Sequence, residues 1–189
     1  MQDSDGFVRC FSVQHRSVVE KLERGDVHCQ PWLRSAAYMG TPCDPDGRCH
    51  RRGYLWMASQ YAKRMGCRLR TAPVWVSFAS SKAFCSVKDF EVEVVLELTI
   101  PRSELLISQY FRPPSDNWER VLANSSFLAH ACFDSLDRIS KRRAKRATWE
   151  RLFILSDDPS DWQGVVDRFE PRWLVRRLSV PACTSDDEC

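Results

Sequence analysis

Two stretches of the chain alternate apolar and polar positions in the manner of strands. In "FVRCFSVQ", Phe7 to Gln14, the alternation is carried by β-branched and aromatic residues. In "FEVEVVLELTIP", Phe90 to Pro101, it runs longer, and Val92, Val94, Leu96 and Leu98 fall on one face. Glu91, Glu93 and Glu97 then mark the opposite face, which this pattern assigns to solvent. "APVWVSFAS" reads as a strand opened by a proline, a position where proline is tolerated. "SELLIS", Ser103 to Ser108, is a shorter apolar run set off by Pro101. "TWERLFIL", Thr148 to Leu155, predicts a strand with Glu150 at its mouth beside Trp149, and "PRWLVRRLSV" predicts a final strand. Between them "DPSDWQGVVDRF" follows a turn.

Other stretches carry the helical period. Val18, Val19 and Leu22 share a face in "RSVVEKLERG", where Ser17 and Glu20 form a capping signal and Gly25 closes the segment. "YLWMASQYAKRMG" is the clearest helix, with Tyr54, Met57, Tyr61 and Met65 on a stripe and Gly66 at the C-terminal cap. "SDNWERVLANS" opens with an Asp/Ser cap signal, and "FLAHACFDSLDRISKRRAKRA" is a helix that ends basic. Residues 30–53 are rich in Pro, Gly and Asp and predict a long loop, with a short helix at Trp32–Met39 and a cysteine-rich insertion over about 41–53. The tail "PACTSDDEC", about 181–189, is expected to be disordered. With no internal repeat and no linker, the economical organisation is one α+β domain over 1–189, its core spanning about 7–180. Its sheet is expected to be mixed and largely antiparallel, flanked by helices.

Composition narrows the classes. A chain of 189 residues with 43% hydrophobic and 28% charged residues has the profile of a soluble globular domain. It lacks the roughly 18 consecutive apolar residues of a membrane helix, and "MQDSDGFVRC" has no apolar signal region, so a cytoplasmic protein with no membrane partner is expected. A net charge of +3 is too small to attract polyanions by itself, but six cations crowd into Arg138 to Arg146, and Arg51, Arg52, Lys63, Arg64, Arg68 and Arg70 form a second group. The nine cysteines are odd in number and include no CxxC pair. Cys43, Cys49 and His50, with Cys29 or His28, are the best metal candidates. Their five-residue gap is wider than zinc knuckles use, so free thiols are the preferred reading and no metal is expected. No GxSxG, P-loop or GxGxxG is present, and no histidine has an i, i+4 partner.

Several segments together resemble the bacterial and phage family called domain of unknown function 3841. They are "FSVQ", "YLWMASQYAKRMG", "APVWVSF", "VVLELTIPRSELLIS", "NWERVL" and "TWERLFIL", in the family's order over about residues 8 to 178. This chain departs from the family's aspartate-rich stretch after "LLIS", where it has "QYFRPPSDN", and in the cysteine-rich insertion. The resemblance implies a single fold and brings no activity with it.

The layout also resembles ADP-ribosyltransferase-like domains, which run from a first strand with a polar NAD contact to a helix, an aromatic that stacks the nicotinamide, and a late strand opened by a catalytic glutamate. The corresponding residues are Gln14 or His15, the Ser17–Gly25 helix, Tyr54 or Tyr61, and Glu150. The family's histidine-aromatic pair and its "STS"-like segment are absent. That resemblance implies transfer of ADP-ribose from NAD to a macromolecule. Glu150 would stabilise oxocarbenium charge, Gln14 would anchor the carboxamide or ribose, Tyr54 would stack on the nicotinamide, and Arg9, Arg51 or Arg52 would hold the pyrophosphate. The layout puts Gln14 and Glu150 in one cleft. The alternative is a non-enzymatic module that engages nucleic acid or a host protein through the basic helix and exposed members of its seven tryptophans.

Overall fold

The computed structural model describes residues 6–31, 45–67, 71–87, 89, 91–109 and 136–178; for 45–54 and 145–148 it describes the backbone alone. The expected helices at 32–39 and 115–125, and the tail, lie outside the described residues.

Six strands form one antiparallel sheet: β1 (Phe7–His15), β2 (Val74–Ser77), β3 (Glu93–Pro101), β4 (Leu106–Gln109), β5 (Trp162–Val166) and β6 (Leu174–Leu178). Their order across the sheet is β4-β5-β2-β1-β3-β6. Among the described residues four helices join the sheet in an α+β fold: α1 (Arg16–Glu23), α2 (Pro45–Met65), α3 (Ser80–Phe84) and α4 (Arg138–Glu150). Among the described residues no helix is long and apolar enough to cross a membrane.

Strand parity divides the sheet into two faces. Val8 and Cys10 of β1, Val74 and Val76 of β2, Leu96, Leu98 and Ile100 of β3, and Val166 of β5 point to one side, where Val18, Val19 and Leu22 of α1 cover them. This is the back face. The alternate residues form the front face. There Leu106, Val165 and Trp75 pack under Met57 and Tyr61 of α2 and Trp149 of α4. Phe11 and Val95 pack under Ala83 of α3. Trp173, reached through the turn at Pro171–Trp173, is 1% exposed in the back-face core.

β1 pairs along its whole length with β3, Phe7 to Pro101 through His15 to Glu93. It meets β2 at one register pair, Phe11 with Ser77. Beyond that point the Ser12 hydroxyl donates to the Trp75 carbonyl at 2.7 Å, satisfying a backbone acceptor that ladder pairing would otherwise serve.

Several expectations need correction. "TWERLFIL" is not a strand: Thr148, Trp149 and Glu150 end α4, and Arg151–Phe153 is a tight helical turn. Trp149 and Leu152, three residues apart, both bury in the front-face core, and a short apolar run does not distinguish that spacing from a strand. The loop expected over 30–53 gives way at Pro45 to the first turns of α2, so much of the cysteine-rich insertion is helical. Helix α1 is capped by His15, not Ser17: the Ser17 backbone N–H donates to His15 Nδ1 at 3.1 Å. Gly25, at φ 87, closes it as the sequence predicts, and Gly66, at φ 64, closes α2. Glu93 and Glu97 are buried, at 8% and 5% exposure, because α3 and the side chains of β1 and β6 cover that face of β3. Val92, expected in the buried stripe, precedes the strand and is exposed.

Candidate functional site

The residues singled out from sequence fall in separate places. Gln14 stands opposite Val94 and shares the parity of Val8 and Cys10, which puts it on the back face. Its Nε2 donates to Ser12 Oγ at 2.9 Å. Glu150 ends α4 on the front side, where Arg64 Nη2 donates to its Oε2 at 2.9 Å. The sheet lies between the two, so the expected common cleft does not form around them. The spacing of Gln14 and Glu150 in sequence carried no information on face. Face is set by strand parity and by which helix covers which side.

Tyr61, the alternative aromatic, is a core residue. It is 2% exposed, and its hydroxyl donates to the Glu104 carbonyl at 3.0 Å. Burial, with the Asp167 carboxylate nearby, pushes its phenol above the ordinary tyrosine range. Tyr54, Arg51 and Arg52 lie on the stretch of α2 whose side chains are not described. His15 serves as the α1 cap. Of the metal candidates, Cys43 lies outside the described residues and Cys49 and His50 have only their backbone described.

Arg9 is committed to Glu97. Its Nε lies 2.7 Å from Glu97 Oε1, while Arg176 Nε donates to Glu97 Oε2 at 2.8 Å. Burial alone pushes the Glu97 carboxyl up, but the hydrogen bonds from Arg176 and Arg9 and their charge outweigh it and hold the group below the ordinary glutamate value. Each carboxylate oxygen thus takes one guanidinium, and the arginine heads remain partly exposed, at 44% and 62%.

These groups belong to a larger pattern on the front face. The registers place Arg176, Glu97, Phe11, Ser77, Gln163 and Ser108 in one transverse row across all six strands. The neighbouring row holds Trp75, Val165 and Leu106, all apolar. Sequence reasoning missed Glu97, Ser77, Gln163 and Ser108 as a group. The two-residue alternation in "WQGVV" was the available signal, but it is too short to reveal a strand alone.

The described tryptophans pack at least partly into the protein. Among the described residues, Trp149 and Trp173 are buried and Trp56, Trp75 and Trp162 are half-buried; Trp32 and Trp118 lie outside. Trp56 and Trp149 meet at 5.1 Å between ring centroids, Trp56 and Phe153 at 5.8 Å, and Arg64 caps the group 3.7 Å above the Phe153 ring.

The first turns of α4 carry an exposed basic patch. Arg138, Ile139, Arg142 and Arg143 are exposed. Asp137 caps the helix, accepting from the backbone N–H groups of Ile139 and Ser140 at 2.7 and 3.0 Å. Hydrogen bonds from Ser140 and the helix backbone hold its carboxyl below the ordinary aspartate value. Arg138 and Arg142 are one helical turn apart, with Arg143 beside them.

Comparison with protein-family models, with curated proteins and with solved structures finds no match for this chain.

Proposed function

We propose that the chain is a binding module that docks a nucleic-acid phosphate backbone on the first turns of α4. The supporting observation is a contrast in how arginines are used. Arg9, Arg64, Arg168, Arg172, Arg176 and Arg177 each sit against a carboxylate. Arg138, Arg142 and Arg143 are exposed and have no carboxylate partner among the described residues. An unneutralised cluster on one rigid helix is the electrostatic footprint of a phosphate-binding surface. The exposed side chain of Ile139, 65% accessible, adds an apolar contact within the same patch. Phosphate contacts of this kind position a nucleic acid without reading its sequence.

ADP-ribosyl transfer from NAD is the rival reading. The separation of Gln14 from Glu150 by the sheet removes the support it drew from chain order, and calorimetry with NAD tests it directly.

The docking proposal is tested by fluorescence anisotropy on a labelled oligonucleotide, single-stranded and duplex, between about 50 and about 200 mM salt. Three phosphate contacts give log Kobs a slope of about −2.7 against log salt on duplex and about −2 on single strands. The Arg138→Glu/Arg142→Glu/Arg143→Glu variant is expected to flatten that slope. Equal binding by the variant and the parent, or no binding at the lowest salt, would overturn the proposal.

A further inference from the structure

We infer that Ser77, Gln163 and Ser108 form a recognition slot for a neutral planar ligand with an amide edge, of nucleobase or carboxamide type. The inference stands apart from the α4 surface.

Gln163 is the second residue of β5, directly opposite Ser77 on β2 and Ser108 on β4. All three share the front face. Gln163 is 5% exposed and Ser108 1%. The Gln163 Nε2 amide is buried and has no hydrogen-bond partner among the described residues. A buried donor without a partner destabilises the fold, so it marks a place where an incoming acceptor is rewarded. A primary amide offers two donors and an acceptor in one plane, and each flanking serine hydroxyl adds a donor and acceptors. Neighbouring strands stand about 4.8 Å apart, so the three groups span about 10 Å of the face. That length and planarity suit a flat ring with alternating donors and acceptors.

The charges of the row lie at its β3–β6 end, where Glu97 takes Arg9 and Arg176, and Asp161, two residues before Gln163, is paired with Lys82. Trp75, two residues before Ser77 on the same face, packs half-buried in the apolar row beside it. An acidic or phosphorylated ligand finds no free cation among Ser77, Gln163 and Ser108. A neutral amide edge finds a complementary one in Gln163, the pairing that glutamine uses for an adenine edge.

The test uses the full chain carrying 15N-labelled glutamine side chains. Nicotinamide, adenosine and uridine are titrated separately, and ribose serves as a control that lacks the amide edge. The expected result is a saturable shift of the Gln163 Nε2 resonances with at least one of the first three and none with ribose. Gln163→Met removes the unsatisfied donor. It is expected to raise Tm by about 2–4 °C or more while weakening probe binding at least tenfold. Gln163→Glu keeps the shape and should also lose binding. If Gln163→Met raises Tm but no probe moves the parent's resonances, the amide is a packing defect and the slot is refuted. Undiminished binding by both variants would refute it equally. Should Gln163→Met fail to fold, the parent titration decides alone.

Discussion

Arg64 donates to Glu150 at 2.9 Å while its guanidinium lies 3.7 Å above the Phe153 ring, so one side chain ties α2 to the end of α4 and to the turn that follows. Both partners of the ion pair are about half exposed, at 40% and 50%. Solvent screening limits such a pair to about 0–1 kcal/mol. Glu150→Gln is therefore expected to lower unfolding free energy by less than about 1 kcal/mol in urea titration. Arg64→Ala is expected to lose more, because it also uncovers Phe153. A large loss in Glu150→Gln alone would contradict so small a structural role for the carboxylate.

Glu97 carries a pH signature. Its carboxyl is held below the ordinary glutamate value in the folded state. A depressed folded value means that its contribution is fully present above the unfolded value, about 4.3, and is lost as pH falls through the folded one. Glu97→Gln is expected to cost about 1–2 kcal/mol at neutral pH, discounted for the partial exposure of Arg9 and Arg176. The gap between parent and variant should narrow on acidification below about pH 4. Parallel stability curves for the two proteins down to low pH would show that no linkage exists.

Gly164 of β5 tests the packing of the back face. A Cβ there would stand 2.7 Å from Leu105 Cδ1 and 3.2 Å from Val76 Cγ2. Leu105 is fully buried and has little room to move. Gly164→Ala is expected to destabilise by about 1–3 kcal/mol through overpacking, read from the denaturation midpoint. An unchanged or raised midpoint would mean that the core around Leu105 yields freely.

The cysteines should separate by reactivity. Burial pushes the Cys10 thiol far above its ordinary value, and the residue is fully enclosed in the back-face core. Cys29, Cys67 and Cys85 are exposed thiols outside any disulfide. The Cys67 thiol is also raised, by burial first and then by the Asp167 and Glu104 carboxylates. Iodoacetamide labelling with peptide mapping is expected to modify Cys29 and Cys85 first, Cys67 more slowly, and Cys10 only in denaturant. Early modification of Cys10 in the folded protein contradicts its placement.

The α4 arginines should be dispensable for folding. Surface substitutions away from packed or capped positions change stability by about 0.5 kcal/mol or less. The triple Arg138→Glu, Arg142→Glu, Arg143→Glu variant is therefore expected to melt close to the parent while losing its salt-dependent binding. Replacing Asp137 by Ala acts in the other direction. It removes the helix cap and is expected to lower the melting temperature, measured by thermal unfolding.

Alternation in "FVRCFSVQ" and "FEVEVVLELTIP" was enough to locate β1 and the core of β3, because the back-face positions of both strands are mostly apolar and the period of two survives in the sequence, even though Phe11, Val95 and Glu97 also bury on the front face. The stripe of Met57 and Tyr61, and the glycines at 25 and 66, likewise located α2 and the ends of two helices. β5 was illegible. Its five residues include glycine and a buried glutamine, and both dilute the alternation. "TWERLFIL" misled because Trp149 and Leu152 bury equally well from a helix end as from a strand.

By itself the sequence determined that the chain alternates strands with amphipathic helices in one α+β domain, because periodicity is a local property that each segment carries alone. It also determined that the cations concentrate before Thr148. Only the tertiary structure decided which charges are neutralised, since Glu97 meets Arg9 and Arg176 through strand register and Glu150 meets Arg64 through helix packing. It alone set Gln14 and Glu150 on opposite sides of the sheet and brought Ser77, Gln163 and Ser108 into one row. Side choice and cross-strand neighbours depend on pairing between segments far apart in the chain, and no local pattern encodes that pairing.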